Sequence, residues 1–171
     1  MGKVLDIAKY IVYQYEYQTG TQFENSELKL QKLMYLAQRE SLCLRGKVLF
    51  ETDIEGWKLG PVIPELRFYF EKDYEPLKSI ESSNLSEEDM YIINNVLAQY
   101  GMYEAWFLSN MTHDEISWKN SRKGLSENDN GSNVLKVSDI IEDAKKIRQY
   151  DNTFDMYIDE FDDYDEEVAN V

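Results

Sequence analysis

The residues best suited to catalysis in this sequence are its single histidine, His113, and its single cysteine, Cys43. Any Ser-His-Asp or Cys-His device would have to use His113. This histidine follows Thr112, which we expect to cap a helix, and the helix dipole disfavours a charged imidazole at that end. Cys43 lies in the apolar run Leu42-Cys43-Leu44, which favours a small buried side chain over a nucleophile. The pattern therefore favours a histidine packed against a neighbouring tryptophan over a general base.

The other common catalytic devices lack their sequence signatures. One histidine and one cysteine are too few for a structural zinc site. Neither the phosphate-binding G-x-x-x-x-G-K-[ST] loop nor the dinucleotide-binding G-x-G-x-x-G pattern occurs. Carboxylates are numerous, but no spacing singles out an acid pair or a magnesium site. We therefore expect no catalytic residue, no metal and no cofactor, and a protein that is not an enzyme.

The charge of the chain indicates what kind of partner it can bind. Lys and Arg number 18 against 33 Asp and Glu, giving a formal net charge of −15. Binding to a nucleic-acid backbone needs cationic groups, so we expect no direct nucleic-acid binding. A basic protein partner, or mimicry of nucleic acid, fits the sign, although solubility alone is a simpler explanation. We find no signal peptide or membrane-spanning pattern and expect a cytoplasmic protein without membrane contact; the sequence gives no oligomeric state.

Hydrophobic periodicity predicts a mainly α fold. We expect one compact domain of about seven helices over residues 1–150, with at most a small β-hairpin near residues 47–58. Its second helix should bury one apolar stripe, formed by Leu30, Leu33, Met34, Ala37 and Ser41. The segment from Phe50 to Phe70 contains Trp57 and a break at Gly60-Pro61, after which Pro64 begins a helix that we extend to Tyr74. We expect this segment to determine how the neighbouring helices meet.

Helix ends are marked by local capping patterns. Asn25 or Ser26 is placed to cap the second helix, and Gly46 to end it. Ser86 with Asp89 forms a capping box, and Thr112 with Glu115 repeats the spacing.

The last residues, 151–171, differ from the rest because they contain nine acidic residues and no Lys or Arg. Their spacing predicts a helix with one aromatic face, which could either bind a basic protein groove or pack on its own domain. The possible partner-binding residues in this extension are Phe154, Tyr157, Ile158, Phe161, Asp162 and Asp163.

Three blocks of sequence resemble the Panacea domain of SocA-like, phage-associated antitoxins. The first is Leu30 to Gln38, LQKLMYLAQ, and the second contains Trp57, Gly60-Pro61-Val62 and Pro64. The third block is Leu108-x4-His113-x-Glu115-x2-Trp118, and the three occur in the family's order. The acidic extension after Asp151 is an addition to the family pattern.

The resemblance implies a small helical antitoxin that neutralises a cognate toxin by direct binding. The signature residues would then hold the core and shape one binding face. These residues are Trp57, Gly60, Pro61, Val62, Pro64, His113, Glu115 and Trp118. Two other protein-binding functions stay open, namely a phage-encoded acidic inhibitor or DNA mimic directed at a host nuclease or defence complex, and an adaptor that delivers a partner to a protease.

Overall fold

The computed structural model describes residues 2–23, 26–70 and 84–161, and these ranges fold mainly as α-helix, as predicted. Four short strands form two antiparallel pairs, and a 3-10 turn, Pro64–Leu66, leads into the third helix. Within the described ranges, no helix combines the length and apolar character needed to cross a bilayer. The helices are α1 (Gly2–Thr19), α2 (Glu27–Arg45), α3 (Arg67–Phe70), α4 (Glu87–Tyr100), α5 (Ala105–Thr112), α6 (Ile116–Ser121) and α7 (Val137–Ala144). The strands are β1 (Glu55–Trp57), β2 (Gly60–Val62), β3 (Tyr150–Asp151) and β4 (Met156–Tyr157).

Helix α2 is the element on which the others pack. It contacts α1, α4, α5, α7 and β2, so every residue from Leu30 to Leu42 is buried. The predicted apolar stripe is therefore only one side of a helix that is enclosed all round. Its remaining buried positions include the apolar Leu36 and Leu42 as well as the polar or charged Gln31, Lys32, Gln38 and Arg39. The centre of the fold is therefore α2, whereas from the sequence we expected the segment from Phe50 to Phe70 to set how the helices meet.

Local capping patterns correctly predict several helix ends. The Ser26 hydroxyl accepts a hydrogen bond from the Lys29 amide, at 3.2 Å, and caps α2. The alternative cap, Asn25, lies outside the described residues. Gly46 ends α2 with φ of 66°, a left-handed conformation that glycine adopts without steric cost. Ser86 and Asp89 form the predicted capping box of α4.

The predicted β-hairpin exists, but it lies further along the chain. Strands β1 and β2 pair with Glu55 opposite Val62, and the turn falls at Lys58 and Leu59. The Gly60-Pro61 pair therefore belongs to a strand and does not mark a break. Proline lacks an amide donor, and Pro61 is tolerated because β2 is an edge strand, whereas the other side of β1 pairs with the backbone around Val134.

The helix predicted from Pro64 to Tyr74 begins where expected. Its first residues form the 3-10 turn, and α3 continues to Phe70. Leu66 is buried. The remainder of this helix, residues 71–74, lies outside the described ranges.

The predicted helix over Phe154 to Phe161 is wrong, because residues 150–157 form the β3–β4 hairpin. Asp155 has φ of 53°, which a regular helix does not allow. Contacts with α4 select the hairpin. The Tyr91 hydroxyl donates to Asp151, and the Asn152 amide donates to the side-chain oxygen of Asn95 at 2.9 Å.

The hairpin separates side chains that a helix would have placed on one face. Phe154 packs edge-on against Phe161, with ring centres 5.8 Å apart. Tyr157 instead contacts the ring of Tyr150 and lies under the guanidinium of Arg148. Ile158 is half-buried and donates its amide to the Gln149 carbonyl. Asp162 and Asp163 lie outside the described residues. The domain boundary at residue 150 stays a prediction.

Candidate binding surface and its supporting contacts

Two glutamines of α2 hold the backbone of the segments that precede and follow the hairpin strands. Gln38 donates to the Phe50 carbonyl, at 2.9 Å, and accepts from the Leu49 amide, at 2.7 Å. Gln31 makes the same pair of bonds to the carbonyl and amide of Ile63, at 3.0 and 2.8 Å. All of these groups are buried, and both glutamines pair backbone atoms that lie outside the strands, although the Ile63 carbonyl also accepts from the Leu66 amide at 3.1 Å. The two side chains thus anchor to α2 the backbone on either side of the β1–β2 hairpin.

Lys32 holds the hairpin itself. Its ammonium donates to the Pro61 carbonyl at 2.7 Å, and burial lowers the pKa of Lys32 to about 7. The neighbouring Gly60 has φ of +115°, and a Cβ at that position would lie 2.6 Å from both Lys32 Cε and Thr112 Oγ1. Two features therefore require glycine at position 60: the positive φ of its backbone and the close approach of side chains from α2 and α5.

The two signature tryptophans and the histidine pack around the same hairpin. The Trp118 indole donates to the Trp57 carbonyl at 2.8 Å, and the Trp57 indole donates to the Glu55 carboxylate at 2.7 Å. His113 stacks on Trp118 with ring centres 4.3 Å apart, as expected for a packed histidine. Burial, together with the nearby Lys32 ammonium, lowers the pKa of His113. Its buried Nε2 has no hydrogen-bond partner among the described residues.

A charged cluster joins α2 to the start of α6. Arg39 pairs with Glu115 at 2.5 Å and donates to the Tyr100 hydroxyl at 2.9 Å. The Tyr35 hydroxyl lies 2.9 Å from a Glu115 oxygen and 3.2 Å from an Asp143 oxygen. Burial raises the pKa of Glu115, and the Asp143 carboxylate adds to this, whereas Arg39 opposes it. Each carboxylate has a structural partner, so this pair of acids needs no catalytic explanation.

The cap of α6 comes from a distant residue. Asp143 of α7 accepts from the amides of Ile116 and Ser117, at 2.7 and 3.0 Å. The predicted cap, Thr112, is instead the last residue of α5, and its hydroxyl donates to the Ser109 carbonyl. His113 therefore follows a helix C-terminus, and our placement of it at a helix N-terminus is wrong. Its lowered pKa comes from burial and Lys32.

No group of three or more histidine, cysteine or acidic side chains is arranged to hold a metal ion within the ranges that the structure describes. Cys43 is half-buried, and burial raises the pKa of its thiol. A thiol of raised pKa is a poor nucleophile at neutral pH.

Most of the residues that make these contacts lie in a segment that matches a known protein family. The family model for the SocA-like antitoxin, Panacea domain, matches residues 30–119, just over half of the chain. This chain belongs to the SocA-like Panacea domain family. The match runs from the buried part of α2 through the hairpin to Lys119 of α6. No curated protein and no solved structure matches the chain.

The Panacea signature residues lie together in this structure, around the β1–β2 hairpin. Trp57, Gly60 and Pro61 belong to the strands. Trp118 of α6 donates to the Trp57 carbonyl, and His113, which directly follows α5, stacks on Trp118. Val62 is buried, whereas Pro64 begins the 3-10 turn. Glu115 stands apart from the hairpin and binds Arg39. Most signature side chains thus contact each other or the backbone.

Sequence reasoning missed a group of exposed aromatic side chains at the start of α5. The helical spacing places Ala105, Trp106 and Ser109 on one face of this helix. The structure buries Leu108, Ser109 and Thr112 instead, and leaves Trp106 63% exposed. The helical spacing from Tyr103 to Trp106 and Phe107 was visible, but an aromatic face is normally evidence of a core. We call Met102, Tyr103, Trp106 and Phe107 the Trp106 patch.

Proposed function

We propose that the chain is an antitoxin that neutralises a cognate toxin by direct protein–protein binding and catalyses no reaction. The match to the SocA-like Panacea family over residues 30–119 carries this proposal. An antitoxin family implies a protein partner, and the acidic charge of −15 favours a basic one.

The contacts of the signature residues support a structural role for them. The indole N–H groups of Trp57 and Trp118 donate to groups of the same chain, and the Trp57 ring is covered by the guanidinium of Arg67 at 5.0 Å. His113 is stacked and carries a lowered pKa, so it is neutral at physiological pH. We therefore propose that these residues shape the domain and that other, exposed side chains contact the toxin.

Co-expression in bacteria tests the proposal. The reading frame beside this one is induced alone, with the full chain, or with a chain whose fold is disrupted by Leu33→Asp in the buried α2. We expect the neighbouring protein to arrest growth, the full chain to relieve the arrest, and the disrupted chain to fail. Purification of the toxin should recover the full chain in a stoichiometric complex. Relief without a complex would contradict direct binding.

Two controls separate this proposal from the alternatives. An adaptor for proteolysis would relieve the arrest only where the host's ATP-dependent proteases are present, whereas direct binding relieves it in strains that lack them. An acidic mimic would depend on its terminal charges, so truncation after Phe161 should abolish relief. This truncation point keeps the β3–β4 hairpin and its bonds to α4 intact. We expect relief in the protease-deficient strain and with the truncated chain.

A further inference from the structure

The outward face of α5 is aromatic where a surface helix is normally polar. In the Trp106 patch, Met102 is 74% exposed, Trp106 63%, Phe107 39% and Tyr103 37%. The rings contact each other, with centres 4.6 Å apart for Tyr103 and Phe107 and 5.9 Å apart for Trp106 and Phe107. Contiguous exposed apolar surface of this kind marks interaction sites.

Contacts beneath the patch hold its backbone in place. The Phe107 and Leu108 amides donate to the Glu104 carbonyl at 3.1 Å, and the Lys29 ammonium donates to the Gly101 carbonyl at 2.7 Å. One turn after Trp106, the Ser109 hydroxyl donates to the Leu59 carbonyl at 2.6 Å. Leu59, at the turn of the β1–β2 hairpin, is itself exposed. Aromatic side chains on a fixed backbone lose little conformational entropy on binding, which suits them as anchors.

The charges along this part of the chain are all negative. Between Met102 and Trp118 there are three acidic residues and no Lys or Arg. Glu104 and Asp114, at the two ends of α5, are exposed, whereas Glu115 is paired with Arg39. Two cations lie near the patch, Lys29 beneath it and the exposed Lys58 beside Leu59, so the attraction of a cationic partner comes from the exposed Glu104 and Asp114 together with the net charge of −15 of the whole chain.

We infer that the Trp106 patch is the surface that binds the toxin, and that the toxin presents an apolar pocket bordered by lysine or arginine side chains. This inference rests on the antitoxin function proposed above and names the surface that carries it out. A second copy of this chain is a poorer occupant. A two-fold contact through α5 would bring Glu104 and Asp114 of one copy against the same acidic surface of the other.

The experiment measures binding of the purified toxin whose growth arrest the full chain relieves. Trp106→Ala and Phe107→Ala are compared with Tyr17→Ala, an aromatic of α1 that is 75% exposed. Hot-spot residues of an interface lower affinity by about 30-fold or more when truncated, so we expect that loss for Trp106→Ala. Tyr17→Ala should stay within about threefold of wild type, and all three variants should keep the wild-type Tm. Glu104→Gln should weaken binding and reduce its dependence on salt.

A second measurement covers the case in which truncation disturbs the helix. A photo-reactive phenylalanine analogue replaces Trp106 or Tyr17, and the complex with the toxin is irradiated. We expect a cross-link to the toxin from position 106 and none from position 17. Unchanged affinity of Trp106→Ala, or cross-linking from position 17 only, would overturn the inference. So would cross-links from position 106 only between copies of this chain. A failure of the full chain to bind any toxin would instead remove the proposed function.

Discussion

Replacement of Gly60 by alanine tests whether the hairpin is held as tightly against α2 and α5 as the structure indicates. An alanine with φ of +115° is strained by about 1–3 kcal/mol. Its Cβ would also lie 2.6 Å from Lys32 Cε and from Thr112 Oγ1. Both neighbours are buried, and both make hydrogen bonds of 2.7 Å that a shift would weaken. Overpacking of this kind adds about 1–3 kcal/mol, so we expect a total loss near 4 kcal/mol.

Gly124→Ala is the matched control for this substitution. Gly124 has φ of +83°, and a Cβ there would meet nothing within 4 Å, so only the conformational strain applies. Urea unfolding, followed by the fluorescence of Trp57 and Trp118 beside the hairpin, gives the free energy of unfolding for each variant. We expect Gly60→Ala to lose about 2 kcal/mol more than Gly124→Ala. Equal losses within about 0.5 kcal/mol would refute the close approach as the reason for glycine at this position.

Three further predictions concern polar side chains enclosed around α2. Gln38→Ala should lower the free energy of unfolding by about 2–4 kcal/mol, since it leaves buried backbone groups unpaired, and urea unfolding measures this. Burial raises the pKa of Glu40 from 4.5 to about 7, and neither of its buried oxygens has a partner among the described residues. The stabilisation of the folded state by neutral Glu40 is therefore fully present below pH 4.5 and is lost as the pH rises to 7. The wild-type free energy of unfolding should thus fall by about 3 kcal/mol between pH 4.5 and 8, and Glu40→Gln should abolish this fall. Arg39→Met should destabilise by about 3–5 kcal/mol, because Glu115 stays buried without its cation, and the double variant with Glu115→Gln should lose clearly less than the two single losses combined. A pH-independent effect of Glu40→Gln, or additive losses in the Arg39 pair, would contradict these explanations.

The parts of the fold that depend on near neighbours in the chain were predictable from sequence. Ser26, Gly46 and the Ser86–Asp89 pair act within one helical turn, so their residue types suffice to mark helix ends. The mainly α fold and the family followed from periodicity and from three spaced motifs. The stacking of His113 on Trp118 was also expected from their proximity in the sequence.

The failures share a cause, because long-range contacts decided each of them. Asp143 caps α6 from 27 residues away, so the nearer candidate Thr112 remained part of the preceding helix. Bonds from Asp151 and Asn152 to α4 select a hairpin where the aromatic spacing alone predicted a helix. For the candidate site, spacing could not tell which face of α5 is buried. The structure buries Leu108 and leaves Trp106 exposed.

The enclosure of α2 has a consequence for how the domain opens. Amide protons of a surface helix exchange with solvent through local fraying, but those from Leu30 to Leu42 are covered on every side by other elements. They can reach deuterated water only when the surrounding helices separate together. Deuterium uptake along this segment should therefore be uniformly slow and report the global unfolding equilibrium, whereas the β3–β4 hairpin should take up deuterium first.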